Sequence, residues 1–371
     1  MKSEKKKKPF IMLTAGGTGG HIYPAEALAQ ELIKRGYEVE FATDARGKGN
    51  YKGALGSIKN YALLSGALVG KSKWFKIKSL FKTGLGVLQA CFIMIKKRPD
   101  CVVGFGGYAS FPCSVAAVLL GVDLVLHEQN SVMSRTNRLL GKYATLIAKS
   151  FETVKFLPEN KKIAYTGMPV REQIVKLHKE TRKSVDEVFK ILVLGGSQGA
   201  KVFADVVPDA LKTLAKKSPK TIEVVQQCRQ EDEEKLSEQY KKIGIKHEVG
   251  HFFANMDELY RNSDLIISRA GASSVCEIMV AGIPSILVPL PIAADNHQYY
   301  NALNVVDKNA GILIEQDDFS ADKVADLLYN LAEDGSALEM FSQNAKRHAI
   351  ADAAVRFADA IDNEILKKDG K

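Results

Sequence analysis

The chain has 371 residues, of which 46% are hydrophobic and 26% charged, with a mean hydropathy of −0.09. This composition excludes a disordered or collagen-like protein and predicts two or three globular domains of roughly 150 residues each. The cysteines show no CxxC spacing, which argues against a disulfide scaffold or a zinc site and favours a reducing compartment. They are Cys91, Cys101, Cys113, Cys228 and Cys276.

The formal charge of +9 and the pI near 9.1 indicate an anionic partner: nucleic acid, acidic lipid or a phosphorylated substrate. After the lysine-rich residues 1–8, only four apolar residues precede Thr14, so we expect no signal peptide. No run of about 20 uncharged apolar residues occurs, so we also expect no membrane-spanning segment. These observations favour a cytoplasmic protein.

Short apolar strands alternate with helical patterns in the first half of the chain. Residues 10–15 predict a strand, and apolar residues repeat at helical spacing from 24 to 35 before Gly36 ends the pattern. Further strands are predicted at 37–43, 101–103, 122–127, 146–148 and 163–165. Helical stretches separate most of them, which indicates βαβ units on a parallel sheet.

The alternation begins again after the polar and charged residues 171–188. New strands are predicted at 189–194, 222–226, 265–268, 285–288 and 311–314, and the charged residues 231–242 predict a solvated helix face. The sequence therefore predicts an α/β fold with two Rossmann-like, doubly wound parallel-sheet domains facing a cleft. The boundary is placed within 167–172, which gives an N-terminal domain over 9–168 and a C-terminal domain over 169–346.

Four glycine-rich turns are candidate phosphate sites: 16–20, 104–107, 195–199 and 270–272. A strand that turns through glycine into a helix presents free N–H groups and the positive end of the helix dipole to an anion. Tight turns made for steric reasons alone are the alternative. Ile22 replaces the third glycine of the dinucleotide fingerprint, and no Walker-type motif occurs. The sequence has no DxD triplet, so helix N-termini rather than a metal are expected to hold a leaving diphosphate.

Six motifs, three of which contain glycine turns named above, follow one another in a specific order. They are GGTGGHIYP at 16–24, HEQN at 127–130, TGMPVR at 166–171, GGSQGA at 195–200, SRAGA at 268–272 and DNHQYYNA at 295–302. Together they resemble the bacterial UDP-N-acetylglucosamine–N-acetylmuramyl-(pentapeptide) pyrophosphoryl-undecaprenol N-acetylglucosamine transferases, over about residues 10–360. Met168 departs from the family's usual TGNPVR.

The resemblance implies an inverting GT-B glycosyltransferase without metal or cofactor. Such an enzyme transfers GlcNAc from UDP-GlcNAc to the C4 hydroxyl of undecaprenyl-linked MurNAc-pentapeptide, a peptidoglycan precursor. In this family the C-terminal domain binds the donor, the N-terminal domain binds the acceptor, and the last helix, here 347–365, crosses back to the first domain.

Two alternatives remain open at this point. One is a glycosyltransferase of the same architecture that acts on another lipid acceptor such as diacylglycerol, against which HEQN and DNHQYYNA argue. The other is a non-catalytic or redox nucleotide-binding protein in which Asp44 would hold an NAD ribose. The missing third glycine and the duplicated phosphate loops count against it.

In the N-terminal domain the resemblance implies that His21 is the general base. Inversion requires a base that takes the proton of the attacking hydroxyl, and imidazole titrates near neutral pH. A histidine that only caps the following helix is the alternative. Family positions that contact the donor match Thr18, Gly19, Gly20, Asn130 and Arg171. The three loop residues also suit an acceptor diphosphate, and hinge packing is the alternative for the last two.

In the C-terminal domain the resemblance implies a donor site. Ser197 would bind the UDP phosphates, Phe253 would lie beside the uracil, and Gln298 and Asn301 would bind the GlcNAc hydroxyls. The helix start under the nucleotide matches Ala272, Ser273, Ser274, Val275, Cys276 and Glu277. Glu277 would accept both ribose hydroxyls; a first-turn carboxylate that only complements the helix dipole is its alternative.

Residues 71–98 predict a helix that faces a membrane. Its first turns carry Lys71, Lys73, Lys76, Lys78 and Lys82, with no acid between 71 and 82. Helical spacing places on one face Trp74, Ile77, Phe81, Leu85 and Leu88. Such a helix suits the headgroup boundary of an anionic leaflet, whereas a core helix is the alternative. No nucleic-acid module is recognised, so we expect anionic lipid as partner and a peripheral location at the cytoplasmic face of the cell membrane.

Overall fold

The computed structural model describes residues 8–16, 19–44, 51, 53–66, 73–182, 186–196 and 199–367. The chain divides into two compact units. One comprises Met1–Arg171 and Asp352–Lys371, and the other is Glu172–Ala351. The first boundary between the units lies between Arg171 and Glu172, directly after the TGMPVR motif at 166–171.

The first unit holds a seven-stranded parallel sheet. Its strands are β1 Phe10–Thr14, β2 Glu38–Asp44, β3 Lys59–Leu63, β4 Cys101–Gly104, β5 Asp123–Glu128, β6 Leu146–Lys149 and β7 Ile163–Tyr165. Their order across the sheet is β3-β2-β1-β4-β5-β6-β7. The helices between them are α1 Gly19–Lys34, α2 Gly53–Ser57, α3 Lys73–Lys97, α4 Ser110–Leu120 and α5 Arg135–Gly141.

Successive residues of β1 enter different cores because side chains alternate across a strand. Ile11 and Leu13 pack in the core that also contains Leu28 of α1. Phe10 and Met12 pack in a second core on the opposite face, with α3 and α4. The central strands are therefore buried on both sides, as the continuous apolar runs of a parallel sheet require.

The second unit holds a six-stranded parallel sheet of order β10-β9-β8-β11-β12-β13. Its strands are β8 Val188–Leu194, β9 Thr221–Gln227, β10 Lys246–Gly250, β11 Leu265–Ser268, β12 Ser285–Leu287 and β13 Ile312–Leu313. Its helices are α6 Glu172–Leu177, α7 Lys201–Lys217, α8 Glu233–Ile243, α9 Met256–Asn262, α10 Ala272–Ala281, α11 His297–Val306, α12 Ala321–Glu333 and α13 Gly335–His348. The predicted α/β class with two parallel sheets is confirmed.

Several boundaries differ from the sequence prediction. Helix α1 begins at Gly19 rather than at residue 24, so Pro24 lies inside it. The charged stretch 231–242 is amphipathic rather than wholly solvated, because α8 buries Leu236 and Tyr240. The polar residues 171–188 contain α6.

The final helix α14, Ala353–Glu364, belongs to the first unit. The sequence predicted one helix over 347–365, but α13 ends at His348 and four residues separate the two helices. Arg35, which directly follows α1, donates to Asp359 at 2.7 Å and to Asp362 at 2.8 Å. Phe357 is fully buried in the same core as β1. Ion pairs and apolar burial together attach α14 to the sheet.

Helix α3 differs from the expectation that no segment could cross a membrane. Trp74–Lys97 is 24 residues long with a mean hydropathy of 1.3 in its most apolar window, of which 28% is buried. By length and composition alone it could therefore span a bilayer. Its buried face, which includes Ser79 and Thr83, packs on α4 in the first unit.

Candidate functional site

His21 lies in the first turns of α1, between two glycine turns. Its Nδ1 is 2.9 Å from the carbonyl oxygen of Phe105. Because a carbonyl oxygen only accepts, Nδ1 carries the proton and Nε2 keeps a lone pair. A Cβ at Gly106 or Gly107 would come within 3.4 or 3.3 Å of the ring, so glycine at both positions makes room for it. Nε2 is thus the nitrogen that can accept a proton.

The ring of His21 is neutral near pH 7. Burial lowers its pKa below the ordinary value of 6.5, an effect larger than the opposing contributions of the Phe105 carbonyl and the Gln129 side chain. A base must be unprotonated before it acts. The environment therefore holds His21 in the form that a general base requires.

His127 is a second buried imidazole in the same unit. It is 1% exposed, and its Nε2 lies 3.2 Å from Oγ of Ser150. Its ring packs against Phe105 and Phe357, with both centroid distances 5.3 Å. Burial lowers its pKa to about 3, and His21 nearby acts in the same direction. His127 thus stays uncharged and forms part of the packing beneath the His21 turn.

The loop after β5 is organised by a buried carboxylate. Glu128 accepts hydrogen bonds from the backbone N–H of Asn130 and of Ser134, each at 2.9 Å, and from Nδ2 of Asn137 at 2.8 Å. Burial raises the pKa of Glu128, while these donors lower it. The carboxylate therefore fixes the loop that carries Asn130. The HEQN motif marked this segment, but nothing in the sequence assigned a role to Glu128.

The other predicted residues of this half lie close to the same end of the sheet. Gly19 and Gly20 are the first two residues of α1, whose N-terminal N–H groups suit an anion. The guanidinium carbon of Arg171 lies 4.7 Å from the centroid of the Tyr23 ring. Thr18 lies outside the described residues. Met168 is 2% exposed, so the hinge buries an apolar side chain there.

Two helix N-termini follow glycine turns in the second unit. Helix α7 begins at Lys201, and Gly199 before it has φ +66°. A Cβ at Gly199 would lie 2.7 Å from Cγ of Arg229, so no larger residue fits without displacement. Helix α10 begins directly after Gly271. Both N-termini present backbone donors at the positive end of a dipole. Ser197 lies outside the described residues.

Glu277 lies in the second turn of α10, not in the first turn as its alternative interpretation assumed. Its side chain is 6% exposed, and Oε2 accepts from the Tyr260 hydroxyl at 3.3 Å. A dipole-complementing role belongs to the first turn, so that alternative is wrong for this position. Beside it, burial raises the pKa of the Cys276 thiol to about 12, so that thiol is neutral.

The remaining residues of the matched helix start lie around the N-terminus of α10. Ala272 and Val275 are buried, whereas Ser273 and Ser274 are half-buried. Phe253 is also half-buried, and its ring reaches within 3.3 Å of where a Cβ of Gly250 would stand.

The two amides of α11 support neighbouring backbone. Oε1 of Gln298 accepts from the N–H of Leu290 at 3.0 Å, and Nδ2 of Asn301 donates to the carbonyl of Ala270 at 3.1 Å. Asn301 is fully buried and packs against the backbone of the 270–272 turn. The contact of either amide with a sugar hydroxyl stays a prediction.

The sequence predicts no metal ligands. Among the residues that the structure describes, no group of three or more His, Cys, Asp or Glu side chains is arranged to hold a metal ion.

The apolar face of α3 consists of large side chains exposed to solvent. They are Trp74, Ile77, Leu80, Phe81, Leu85, Leu88, Phe92 and Ile95. Trp74 is 81% exposed and Phe81 69%. Lys76, Lys78 and Lys82 are exposed beside them, whereas Lys71 lies outside the described residues. The stripe predicted from the sequence therefore lies on the surface of the first unit, not in its core.

Comparison with known proteins assigns the family. The model of the glycosyltransferase family 28 N-terminal domain matches residues 11–149, and that of the C-terminal domain matches 190–357. The UDP-N-acetylglucosamine–N-acetylmuramyl-(pentapeptide) pyrophosphoryl-undecaprenol N-acetylglucosamine transferase of Paramagnetospirillum magneticum is 40% identical over 368 residues, which cover 98% of this chain and 99% of the relative. The protein of the same name from Rhodospirillum rubrum is 41% identical over 355 residues, 95% of this chain and 91% of the relative.

A solved structure agrees with these relatives. The crystal structure of Acinetobacter baumannii MurG is 30% identical and has a TM-score of 0.76, covering 96% of this chain and 100% of that one. The resemblance inferred from the six motifs is confirmed. The chain belongs to glycosyltransferase family 28.

Proposed function

We propose that this protein transfers GlcNAc from UDP-GlcNAc, with inversion, to the C4 hydroxyl of undecaprenyl-pyrophosphoryl-MurNAc-pentapeptide. The names of relatives at 40% and 41% identity support this donor and this acceptor over diacylglycerol. The observation that carries the chemistry is the hydrogen bond from Nδ1 of His21 to the Phe105 carbonyl. It puts the lone pair of the neutral ring on Nε2, which is then the nitrogen that can accept a proton.

On the acceptor side, Nε2 of His21 takes the proton of the C4 hydroxyl. As that oxygen bonds to C1 of GlcNAc, the bond from C1 to the UDP oxygen breaks and UDP leaves with the electron pair. Attack from the face opposite the leaving group inverts C1. The N-terminus of α1 at Gly19 and Gly20 provides N–H donors for the acceptor diphosphate.

On the donor side, the N-termini of α7 and α10 stabilise the negative charge that develops on the UDP diphosphate. Glu277 accepts the ribose hydroxyls, for which a buried carboxylate is well suited because charge-assisted hydrogen bonds are strong. Phe253 lies against the uracil.

The apolar face of α3 docks on the anionic cytoplasmic leaflet, so the enzyme is peripheral. Docking, rather than spanning, is supported by the attachment of α3 to the first unit. Nζ of Lys97 lies 2.6 Å from Oε1 of the buried Glu40, and Ser79 and Thr83 are buried against the unit. Exposed lysines near an anionic surface add attraction of roughly 1 kcal/mol each.

Transfer to defined acceptors tests the proposal. Purified protein is incubated with radiolabelled UDP-GlcNAc and vesicles that carry either undecaprenyl-pyrophosphoryl-MurNAc-pentapeptide or diacylglycerol. We expect a β-1,4-linked disaccharide product only with the first acceptor. Transfer only to diacylglycerol, or to neither acceptor, would contradict the assignment.

A further inference from the structure

The carbonyl oxygen of Phe105 accepts two side-chain hydrogen bonds. One comes from Nδ1 of His21 at 2.9 Å and the other from Nε2 of Gln129 at 3.2 Å. Gln129 is only 6% exposed, so its amide is directed into the protein. With both donors in place, the carbonyl uses both lone pairs within the unit.

Two glycines in a conformation that other residues rarely adopt follow this carbonyl. Gly106 and Gly107, which follow it, both have positive φ, +87° and +79°. On the other side, the N–H of Phe105 donates to the carbonyl of Thr14 at 2.8 Å. The N–H of Phe105 is therefore bonded to β1, whereas its carbonyl group lies beyond the end of β4 and precedes the two glycines. Beyond it, the N–H of Gly16 donates to the Gly106 carbonyl at 3.0 Å and the N–H of Ser110 to the Gly107 carbonyl at 3.3 Å. The Phe105 carbonyl itself is held by His21 and by the amide of Gln129.

We propose that Gln129 is a positioning residue for the transfer reaction: by holding the Phe105 carbonyl, it keeps Nδ1 of His21 as the protonated nitrogen and Nε2 as the one that accepts the acceptor proton. This inference rests on the proposed role of His21 as base. If the Phe105 carbonyl were less well held, the imidazole of His21 could rotate or exchange its tautomer. Either change would remove the Nε2 lone pair from the C4 hydroxyl of the acceptor.

The charged and titratable groups around His21 are either neutral or already bonded to other partners. Gln129 is therefore the side chain whose substitution should change the orientation of the imidazole. His127 of β5 is neutral. Glu128 is engaged by donors of its own loop, as described above, and Glu26 of α1 accepts from two backbone N–H groups at the start of α2. Arg171 lies over Tyr23. From α14, the ring that packs in this region is that of Phe357, which has no charge.

The first test changes the amide in two ways. In Gln129→Leu we expect kcat to fall by roughly 10- to 100-fold with donor KM unchanged, because the base is misplaced. In Gln129→Glu the carboxylate cannot donate to the carbonyl and attracts a proton to the imidazole. Because a nearby negative charge raises the pKa of histidine, the acidic limb of the kcat/KM profile should move to higher pH.

Gln343 of α13 provides the matched control. It is exposed, and its Nε2 donates to Glu339 at 3.0 Å. Gln343→Leu and Gln343→Glu should keep the wild-type kcat and pH profile. If Gln129→Glu fails to fold, Gln129→Asn, whose amide is too short to reach the carbonyl, should still lower kcat with donor KM unchanged.

The second test reads the tautomer directly. In histidine-labelled protein, the ¹⁵N shifts of His21, assigned by the loss of its signals in His21→Ala, should show protonated Nδ1 in wild type and exchange between tautomers in Gln129→Leu. Suppose that His21→Ala is inactive but the Gln129 variants keep the wild-type tautomer, kcat and acidic limb of the pH profile. That result would overturn the role of Gln129 and leave the base assignment in place. Full activity of His21→Ala would instead overturn the base assignment itself.

Discussion

The imidazole of His127 stacks on the phenyl ring of Phe357, with centroids 5.3 Å apart and ring planes inclined by 28°. His127 lies near the end of β5, and Phe357 belongs to α14. Phe105, whose carbonyl holds His21, packs against both rings. The packing of α14 therefore reaches the backbone that orients the proposed base.

The first prediction concerns stability in acid. Because the pKa of His127 falls to about 3 in the native state, the unfolded state binds a proton that the native state excludes between roughly pH 6.5 and 3. The contribution of His127 to the free energy of unfolding is therefore complete above pH 6.5. It is lost at about 1.4 kcal/mol per pH unit as pH falls below that value. Urea unfolding at pH 7 and pH 5 measures it. His127→Phe should show a shallower pH dependence, and an unchanged slope would assign the acid sensitivity to other groups.

The second prediction concerns the base. His21→Ala should lower kcat by roughly 10²- to 10⁴-fold with donor KM nearly unchanged. Because burial lowers the pKa of His21 below its ordinary value of 6.5, the acidic decline of the wild-type kcat/KM should have its midpoint below pH 6.5. Steady-state kinetics across pH measure both effects. A loss smaller than about tenfold would favour the helix-capping interpretation instead.

The third prediction concerns the donor. Glu277→Ala should weaken UDP binding by about 2–3 kcal/mol, because it removes charge-assisted hydrogen bonds to the ribose. Calorimetric titration with UDP measures the change. Tyr260→Phe removes only the hydroxyl that donates to Glu277 and should bind UDP nearly as wild type does. Equal UDP affinity in Glu277→Ala and wild type would refute the ribose assignment.

The fourth prediction concerns the membrane. Replacing Trp74, Ile77 and Phe81 by serine should release the protein from anionic vesicles and leave UDP binding intact, because these exposed side chains supply apolar insertion. Co-sedimentation measures release, and salt should weaken the lysine contribution in wild type.

A matched control for this variant replaces Met340 and Val355, two exposed apolar residues on α13 and α14, by serine. It should sediment with vesicles as wild type does. Unchanged vesicle binding of the triple variant would exclude the apolar face of α3 as the docking surface.

The fifth prediction concerns metal. Without a DxD triplet, the diphosphate should be held by the helix N-termini after Gly199 and Gly271. Transfer should therefore persist in excess EDTA. Complete loss of activity that Mg²⁺ or Mn²⁺ restores would contradict this, whereas modest stimulation would not.

Sequence reasoning found every interior strand of both sheets and one edge strand of each, β7 and β13. Leu265–Ser268 and Ile163–Tyr165 appear with their predicted limits, because an apolar run bounded by polar residues marks them. The missed strands are β3 and β10, and each lies at the edge of its sheet. Both begin with polar residues, KN in β3 and KHE in β10, so no continuous apolar run reveals them, as a partly solvated edge strand allows.

The candidate site shows a similar division. His21, Asn130 and Glu277 stand in motifs that a sequence can display. The partner that sets the tautomer of His21 is a backbone carbonyl, which has no signature in residue type. Gln129 stands in the quoted HEQN motif, but its role depends on the approach of β5 to the turn after β4, which only the folded sheet provides. Local pattern therefore points to the proposed reacting groups and not to the groups that orient them.

The return of α14 to the first unit also constrains biosynthesis. Residues 172–351 are an insertion within that unit, since Phe357, Ile361 and Ile365 complete a core begun by Ile11 and Leu13. A ribosome delivers these last apolar side chains only after it has made the entire second unit. Part of the core of the first unit thus stays uncovered until α14 has been synthesised. A fragment that stops at residue 351 would lack that cover, and a separately expressed first unit would need residues 352–367 joined to it.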